Sequence, residues 1–130
     1  MSHPYDDVRV FHETYNLPVE TKLIDLTADH SKLRALRIEL LREEFQEYLD
    51  GEQADDMTEI ADALGDIIYI ACGTAVAYGI PLDKVFSEIH RSNMSKLGED
   101  GKPIYREDGK VLKGPNYTPP NIDAILNYYR

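Results

Sequence analysis

Apolar positions recur along this chain with helical rather than alternating spacing, and they do so in four main blocks. Val8, Phe11 and Tyr15 predict a short first helix that opens on Asp6-Asp7 and is stopped by Asn16 and Pro18. Val19 to His30 reads as a connector. Ser31 is the expected N-cap of a second helix, with Leu33, Leu36 and Leu40 on one stripe and Leu41, Phe45 and Tyr48 on another. That helix is expected to reach about Asp50 and to end at Gly51. After a polar turn, Asp56-Met57-Thr58-Glu59 resembles a capping box and opens a third helix to Tyr78, closed by Gly79. Pro81 suits the first turn of a fourth helix, whose stripe is Leu82, Val85, Phe86 and Ile89 and whose end falls near Leu97-Gly98.

The pattern changes at Glu99. From there to Pro120 the chain is rich in Gly, Pro, Lys and Asp, and Asp100-Gly101-Lys102 returns as Asp108-Gly109-Lys110. Asp-Gly favours tight turns, so Ile104-Tyr105 and Val111-Leu112 are candidates for a small hairpin. Ile122, Ile125 and Leu126 suggest a last short helix. The expected fold class is all-α: an antiparallel four-helix-bundle-like core with an irregular Gly/Pro/Lys-rich C-terminal tail. One domain, 1–130, is expected, with an N-terminal helix and connector at 1–30, core helices at 31–98 and the tail at 99–130.

Charge alters this picture in two places. The formal net charge is -10, which disfavours binding to nucleic acid, since that uses clustered Lys and Arg. On the second helix the Leu33, Leu36 and Leu40 face runs on into Glu43, Glu44 and Glu47. On the third, Glu59, Asp62 and Asp66 fall within about 60° of one another at helical spacing, beside the apolar surface of Ile60, Leu64, Ile67, Ile68 and Ala71. Carboxylates that continue a core face are costly to bury unless a cation joins them. All-oxygen ligands select hard divalent ions, Mg²⁺ or Mn²⁺. Solvated helix residues, a capping role for Glu59 and pairing of Asp62 with Arg34 or Arg37 are the structural alternatives. No Gly-x-x-x-x-Gly-Lys phosphate loop or Gly-x-Ser-x-Gly elbow is present.

The remaining composition narrows the setting. Cys72 is the single cysteine and lies in an apolar run, so no intrachain disulfide forms and a buried, inert thiol is expected. Met1 to Asn16 is too polar for a signal peptide, and Ile67 to Ile80 is expected to be too short to span a bilayer. A cytoplasmic location follows as an expectation, in a bacterium or in an infected host cell, with no membrane partner.

Leu41-Arg42-Glu43-Glu44-Phe45-Gln46-Glu47 resembles the Glu-x-x-Glu half of the all-α nucleotide pyrophosphohydrolases, a group that includes MazG, the dimeric dUTPases and phosphoribosyl-ATP pyrophosphohydrolase. Glu59-Ile60-Ala61-Asp62-Ala63-Leu64-Gly65-Asp66-Ile67-Ile68-Tyr69 resembles the second half, Glu-x-x-Asp followed by an apolar helix. His90-Arg91-Ser92-Asn93-Met94-Ser95-Lys96 and the stretch from Asp108 to Pro120 are similar to the tail of a phage and bacterial MazG-like subgroup, often labelled phosphoribosyl-ATP pyrophosphohydrolase-like. The resemblance runs from about Leu33 to Leu126.

The chain departs from the pattern at Ala63, where many members have Glu three residues before the Asp that opens the apolar helix. Glu59 and Asp62 satisfy Glu-x-x-Asp one turn earlier, so either Glu59 and Asp62 are the ligands, or Asp66 is, with Asp62 reaching in from one turn back. The resemblance implies two or three Mg²⁺ ions on Glu44, Glu47, Glu59, Asp62 and Asp66, with Glu43 or Glu47 taking a proton from water. It implies hydrolysis of a nucleoside triphosphate to monophosphate and pyrophosphate, with dUTP or a purine deoxynucleotide (dGTP, dATP) as substrate. Arg91, Asn93, Lys96, Lys110 and Lys113 are expected to contact phosphate or sugar and Tyr69 to stack on a base. A homodimer or dimer of dimers is implied as well. Phosphoribosyl-ATP as substrate, and a non-catalytic helical interaction module, are the alternatives.

Overall fold

The structure, a computed structural model, describes residues 3–130; Met1 and Ser2, counted above in the N-terminal segment, lie outside the described residues. It is all-helical, with α1 (Pro4–Thr14), α2 (Ser31–Gln53), α3 (Met57–Tyr78), α4 (Leu82–Met94) and α5 (Ile122–Asn127). Contacts group the chain into two units. The first runs to Ile80 and includes Tyr129; the second runs from Pro81 to Tyr128 and includes Arg130.

In the first unit α3 is the central element and packs against both α1 and α2. Its second half is small and apolar, and Cys72, Ala75, Val76 and Ala77 are buried there, as is Ala63 nearer its start. Burial raises the pKa of the Cys72 thiol, in keeping with an inert side chain. On α1, Tyr5, Val8 and His12 form the buried face, and His12 Nδ1 donates to Pro18 O at 2.8 Å. The connector serves the C-terminal end of α3, where carbonyls lack intrahelical partners. Glu20 N–H donates to Val76 O and Ile24 N–H to Tyr78 O, each at 3.0 Å. Gly79 ends α3 in the left-handed region at φ 77°, and a Cβ there would overlap the Lys22 carbonyl.

Three boundaries differ from those expected. Helix α1 begins at Pro4, two residues before the expected Asp6-Asp7, which lie in its first turn; His3 caps it, its side chain accepting from Tyr5 N–H while Asp6 accepts from the His3 N–H. At the start of α2 the cap position is His30, while Asp29 accepts from both the N–H and the hydroxyl of Ser31. Gly51 does not stop α2; it is buried inside the helix, which runs on to Gln53, and the chain turns instead at Asp55 with φ 53°. A glycine inside a helix costs about 1 kcal/mol relative to alanine, and here it permits a close approach described below.

Helix α3 has, by length and composition, what a membrane-crossing helix needs. The contrary expectation rested on Ile67 to Ile80 alone. Its Glu59, Asp62 and Asp66 and its packing on two neighbours are those of a core helix.

The second unit is organised by α4, which ends at Met94, a turn earlier than expected. Val85 and Ser92 are buried. Ser92 Oγ donates to Thr118 O at 2.8 Å, Ser95 Oγ accepts from Thr118 N–H at 3.0 Å, and Arg91 reaches Thr118 Oγ1 and Pro119 O. Arg91 also forks onto Glu88 at 2.7 and 2.9 Å, and Glu88 accepts from Asn121 N–H at 2.7 Å. The Arg91 bonds, followed by the Asn121 amide, bring the Glu88 carboxyl down to about 2. The expected hairpin is reduced to a single antiparallel bridge, Tyr105 to Val111. Around it two turns share one hydrogen-bond pattern. Gly98 N–H donates to Lys102 O and Arg106 N–H to Lys110 O, while Asp100 and Asp108 each accept from the amide two residues on.

Glu88→Gln removes the charge that Arg91 and the Asn121 amide share. We expect several-fold faster amide exchange at Thr118 and Asn121, with α2 and α3 unaffected, as read by hydrogen–deuterium exchange. Because the Glu88 pKa is lowered, the contribution is present above about pH 4.5 and is lost as pH falls toward 2.

Candidate metal centre

Helices α2 and α3 run antiparallel, and their contacts fix the register. Arg37 Nη2 donates to Ile70 O at 2.8 Å, and its Nε donates to Thr74 Oγ1 at 3.0 Å. Near the other end, a Cβ on Gly51 would stand 3.0 Å from Ile60 N. Between these contacts, one oxygen each of Glu44, Glu47 and Asp66 lie within 4.8 Å of one another. Two carboxylates come from successive turns of α2 and one from α3. Glu47 is exposed, whereas Glu44 and Asp66 are half-buried.

The cluster carries an electrostatic load. Glu44 Oε2 is buried and has no hydrogen-bond partner among the described residues, an arrangement that costs on the order of 1–3 kcal/mol or more for a charged group. Burial, then Glu47, Asp66 and Asp62, push the Glu44 carboxyl from 4.5 to about 7. Glu59 is raised as well, by burial first and then by Glu47, Asp62, Asp56 and Asp50. Among the described residues the ion pairs are Arg9–Glu13, Arg42–Glu39, Arg91–Glu88, Arg106–Asp108 and Arg130–Asp123, and none neutralises the cluster. Three convergent carboxylates, one with a buried and unpartnered oxygen, fit a hard divalent cation. The donor set contains no nitrogen or sulfur, so it does not favour softer metals.

Glu43, Glu59 and Asp62 are not part of the three-carboxylate group. Asp62 acts on Glu44 and Glu59 through its charge. Its suggested pairing with an arginine is not realised, since Arg37 bonds Thr74 and Ile70 while Arg34 reaches Leu26 O at 3.4 Å. Asp56 does cap Glu59 N–H at 3.1 Å, without the return bond of a capping box. Ala63 is fully buried, so the position three residues before Asp66 offers no ligand here.

Tyr69, one turn beyond Asp66, meets Phe11 edge-on at 5.6 Å, and Phe11 in turn lies 4.6 Å from Tyr15. Sequence reasoning named Tyr69 but missed Phe11, whose spacing on α1 reads equally well as core. The other expected substrate contacts lie in the second unit. Arg91 is committed to Glu88, and Lys113 sits over the Tyr117 ring at 4.9 Å. The side chains of Asn93, Lys96 and Lys110 have no hydrogen bond or ion pair among the described residues. Arg37 was read only as a possible partner of Asp62; its bonds to Thr74 and Ile70 were not foreseen.

Three comparisons bear on this arrangement. A family profile for phosphoribosyl-ATP pyrophosphohydrolase matches residues 8–93, which hold α2, α3 and the carboxylates of both candidate clusters. An uncharacterized protein of Acanthamoeba polyphaga mimivirus is 29% identical over 113 residues, covering 84% of this chain and 41% of its own length. The chain thus spans about two fifths of that curated relative. A crystal structure from Exiguobacterium sp. 255-15, of a protein proposed to be an NTP pyrophosphohydrolase, aligns over 98% of this chain and 94% of its own, with 28% identity and a TM-score of 0.48.

The raised pKa of Glu44 sets a pH dependence. Between about 4.5 and 7 the folded state holds a proton that the unfolded state has lost, so metal-free stability falls as pH rises through this window. We expect the metal-free melting temperature to be higher at pH 5 than at pH 8. Mg²⁺ or Mn²⁺ should raise it at pH 8 and much less at pH 5. Scanning fluorimetry at both pH values measures this; an equal metal effect at the two would count against Glu44 as a ligand.

Proposed function

Because the chain belongs to the phosphoribosyl-ATP pyrophosphohydrolase family, we propose that it hydrolyses a nucleoside triphosphate to the monophosphate and pyrophosphate. The single observation that carries this reading is the meeting of Glu44, Glu47 and Asp66 around a buried carboxylate oxygen without a hydrogen-bond partner among the described residues. Glu44, Glu47 and Asp66 would hold the metal, with Asp62 and Glu59 adding negative potential beside them. Bound Mg²⁺ or Mn²⁺, in two or three ions, would neutralise phosphate oxygens and make a water more acidic. Water adds to one phosphorus, the anhydride bond breaks, pyrophosphate leaves, and the water's proton passes to a carboxylate. Glu43 stands outside the three-carboxylate group and is freer than Glu47 to take it.

For the substrate we favour a deoxynucleotide, dUTP or one of dGTP and dATP, with Asn93, Lys96 and Lys110 offering their unspent donors to phosphate or sugar. Tyr69 with Phe11 is the aromatic pair we assign to the base. Arg91 and Lys113 then act by holding the tail segment. A second reading, phosphoribosyl-ATP as substrate, takes its support from the family profile itself. We place the reaction in the cytoplasm of a bacterium or of an infected host cell.

We also propose that a second copy of the chain is the main partner, in a dimer or dimer of dimers. The support is α2: only Arg37 and Gly51 of its 23 residues are buried. Ile38, Leu41, Phe45 and Leu49 are exposed, and Ile38, Leu41, Arg42, Phe45 and Ile67 line an apolar groove of about 420 Å³. A helix left this bare needs a further surface. Phe45→Glu should shift the species seen by light scattering toward monomer and lower the melting temperature; an unchanged mass would remove this face from the interface.

Pyrophosphate release across the canonical NTPs, dNTPs and phosphoribosyl-ATP, with Mg²⁺ or Mn²⁺, is expected to single out a deoxynucleotide. Release with none of them would leave the interaction-module reading. In the same assay Glu47→Gln is expected to lower kcat by roughly 100-fold or more while far-UV circular dichroism is unchanged; wild-type turnover would take Glu47 out of the site.

A further inference from the structure

The α2–α3 contacts recur at seven-residue intervals, with the carboxylates in the middle layer. Arg37, Glu44 and Gly51 follow one another along α2. Opposite them, in reverse order, come Gly73, Asp66 and the Glu59–Ile60 pair. Successive layers lie about 10.5 Å apart at the α-helical rise.

Both outer layers are close approaches made possible by glycine. A Cβ on Gly51 would come to 3.0 Å from Ile60 N and 3.1 Å from Glu59 Cγ. A Cβ on Gly73 would overlap Arg37 Nη2 and stand 3.1 Å from His12 Nε2. Glycine at position 73 therefore leaves the guanidinium room to lie against the backbone of α3. Arg37 is only 8% exposed and has no carboxylate partner among the described residues. Its Nε and Nη2 are spent on Thr74 Oγ1 and Ile70 O, and the Thr74 hydroxyl also donates to Ile70 O at 3.2 Å. A buried guanidinium without a counter-ion is a poor source of stability. What the fork does supply is direction: two donors on groups one helical turn apart fix both the level and the rotation of α3 against α2. A leucine there would pack without specifying either.

We infer that Arg37 over Gly73, and Gly51 against Ile60, are positioning elements that set the gap between Glu44, Glu47 and Asp66 and so the size of cation those carboxylates accept. This rests on the metal reading above. Mg²⁺ holds oxygens at about 2.0–2.1 Å and Ca²⁺ at about 2.3–2.6 Å, so a displacement of a few tenths of an ångström decides between them. That is the displacement the tight Gly51 contact would force if a methyl group were added.

The test is calorimetric titration of Mg²⁺ and of Ca²⁺ into the substrate-free protein and into Arg37→Met, Arg37→Lys and Gly51→Ala, with circular dichroism to verify helix content. Each variant is expected to lose roughly tenfold or more in Mg²⁺ affinity while Ca²⁺ affinity changes much less. Arg37→Lys keeps the charge and loses the fork, so it should behave like Arg37→Met. If Arg37→Met loses its helices, Gly51→Ala carries the same prediction from the opposite end of the pair. Mg²⁺ and Ca²⁺ weakening in parallel, or neither weakening, would overturn the positioning role and leave the metal site standing. Wild-type protein that binds neither ion would overturn both.

Discussion

Two helices can bring carboxylates from both partners to one level only while their register is held against the repulsion that results. In this protein burial first, and then Glu47, Asp66 and Asp62, carry the Glu44 carboxyl to about 7, and the restraint comes from contacts one heptad away on either side. The Arg37 fork on Ile70 O and Thr74, and the close packing of Gly51 on Ile60, hold α2 and α3 where Glu44, Glu47 and Asp66 must meet. Other features of the first unit serve this pairing. Helix α1 also packs on α3, and the connector closes the carbonyls at the end of α3.

The distribution of apolar surface separates the two helices. Helix α3 buries small residues inside the chain, while α2 leaves Leu36, Ile38 and Phe45 more than half exposed. Helix α3 is thus anchored by its own unit, and α2 is anchored mainly through α3. A helix so placed is restrained on one face only, and the carboxylates at its middle share that one-sided support.

Much of the fold was legible in the sequence because helical periodicity, caps and stops are local. The existence of α1 to α5 could be read in this way, as could the two carboxylate clusters. The errors have local causes too. Gly51 looked like a stop because glycine usually ends helices, whereas here it answers to the approach of Ile60. The Asp-Gly turns pointed to a hairpin and did form, but the arms between them pair only at Tyr105 and Val111. Which of Glu59, Asp62 and Asp66 joins Glu44 and Glu47 could not be read, because one face of α3 carries all three and only the register with α2 separates them. The partners of Arg37 were misjudged for a similar reason: nothing in its neighbours reveals that Gly73, a turn past Tyr69, leaves room for it against α3 rather than beside Asp62.

The two Glu-Asp-Gly-Lys turns carry a consequence of a different kind. Each is closed by bonds reaching no more than four residues along the chain, and the second repeats the first at an offset of eight. Their shape is written in a few adjacent residues, so closing them costs little chain entropy. The shape of such a segment answers to its own few residues and not to the helices around it. The carboxylates, by contrast, meet only where α2 and α3 pair. One chain thus combines turns whose geometry would survive a shift of the helices with a centre whose geometry would not.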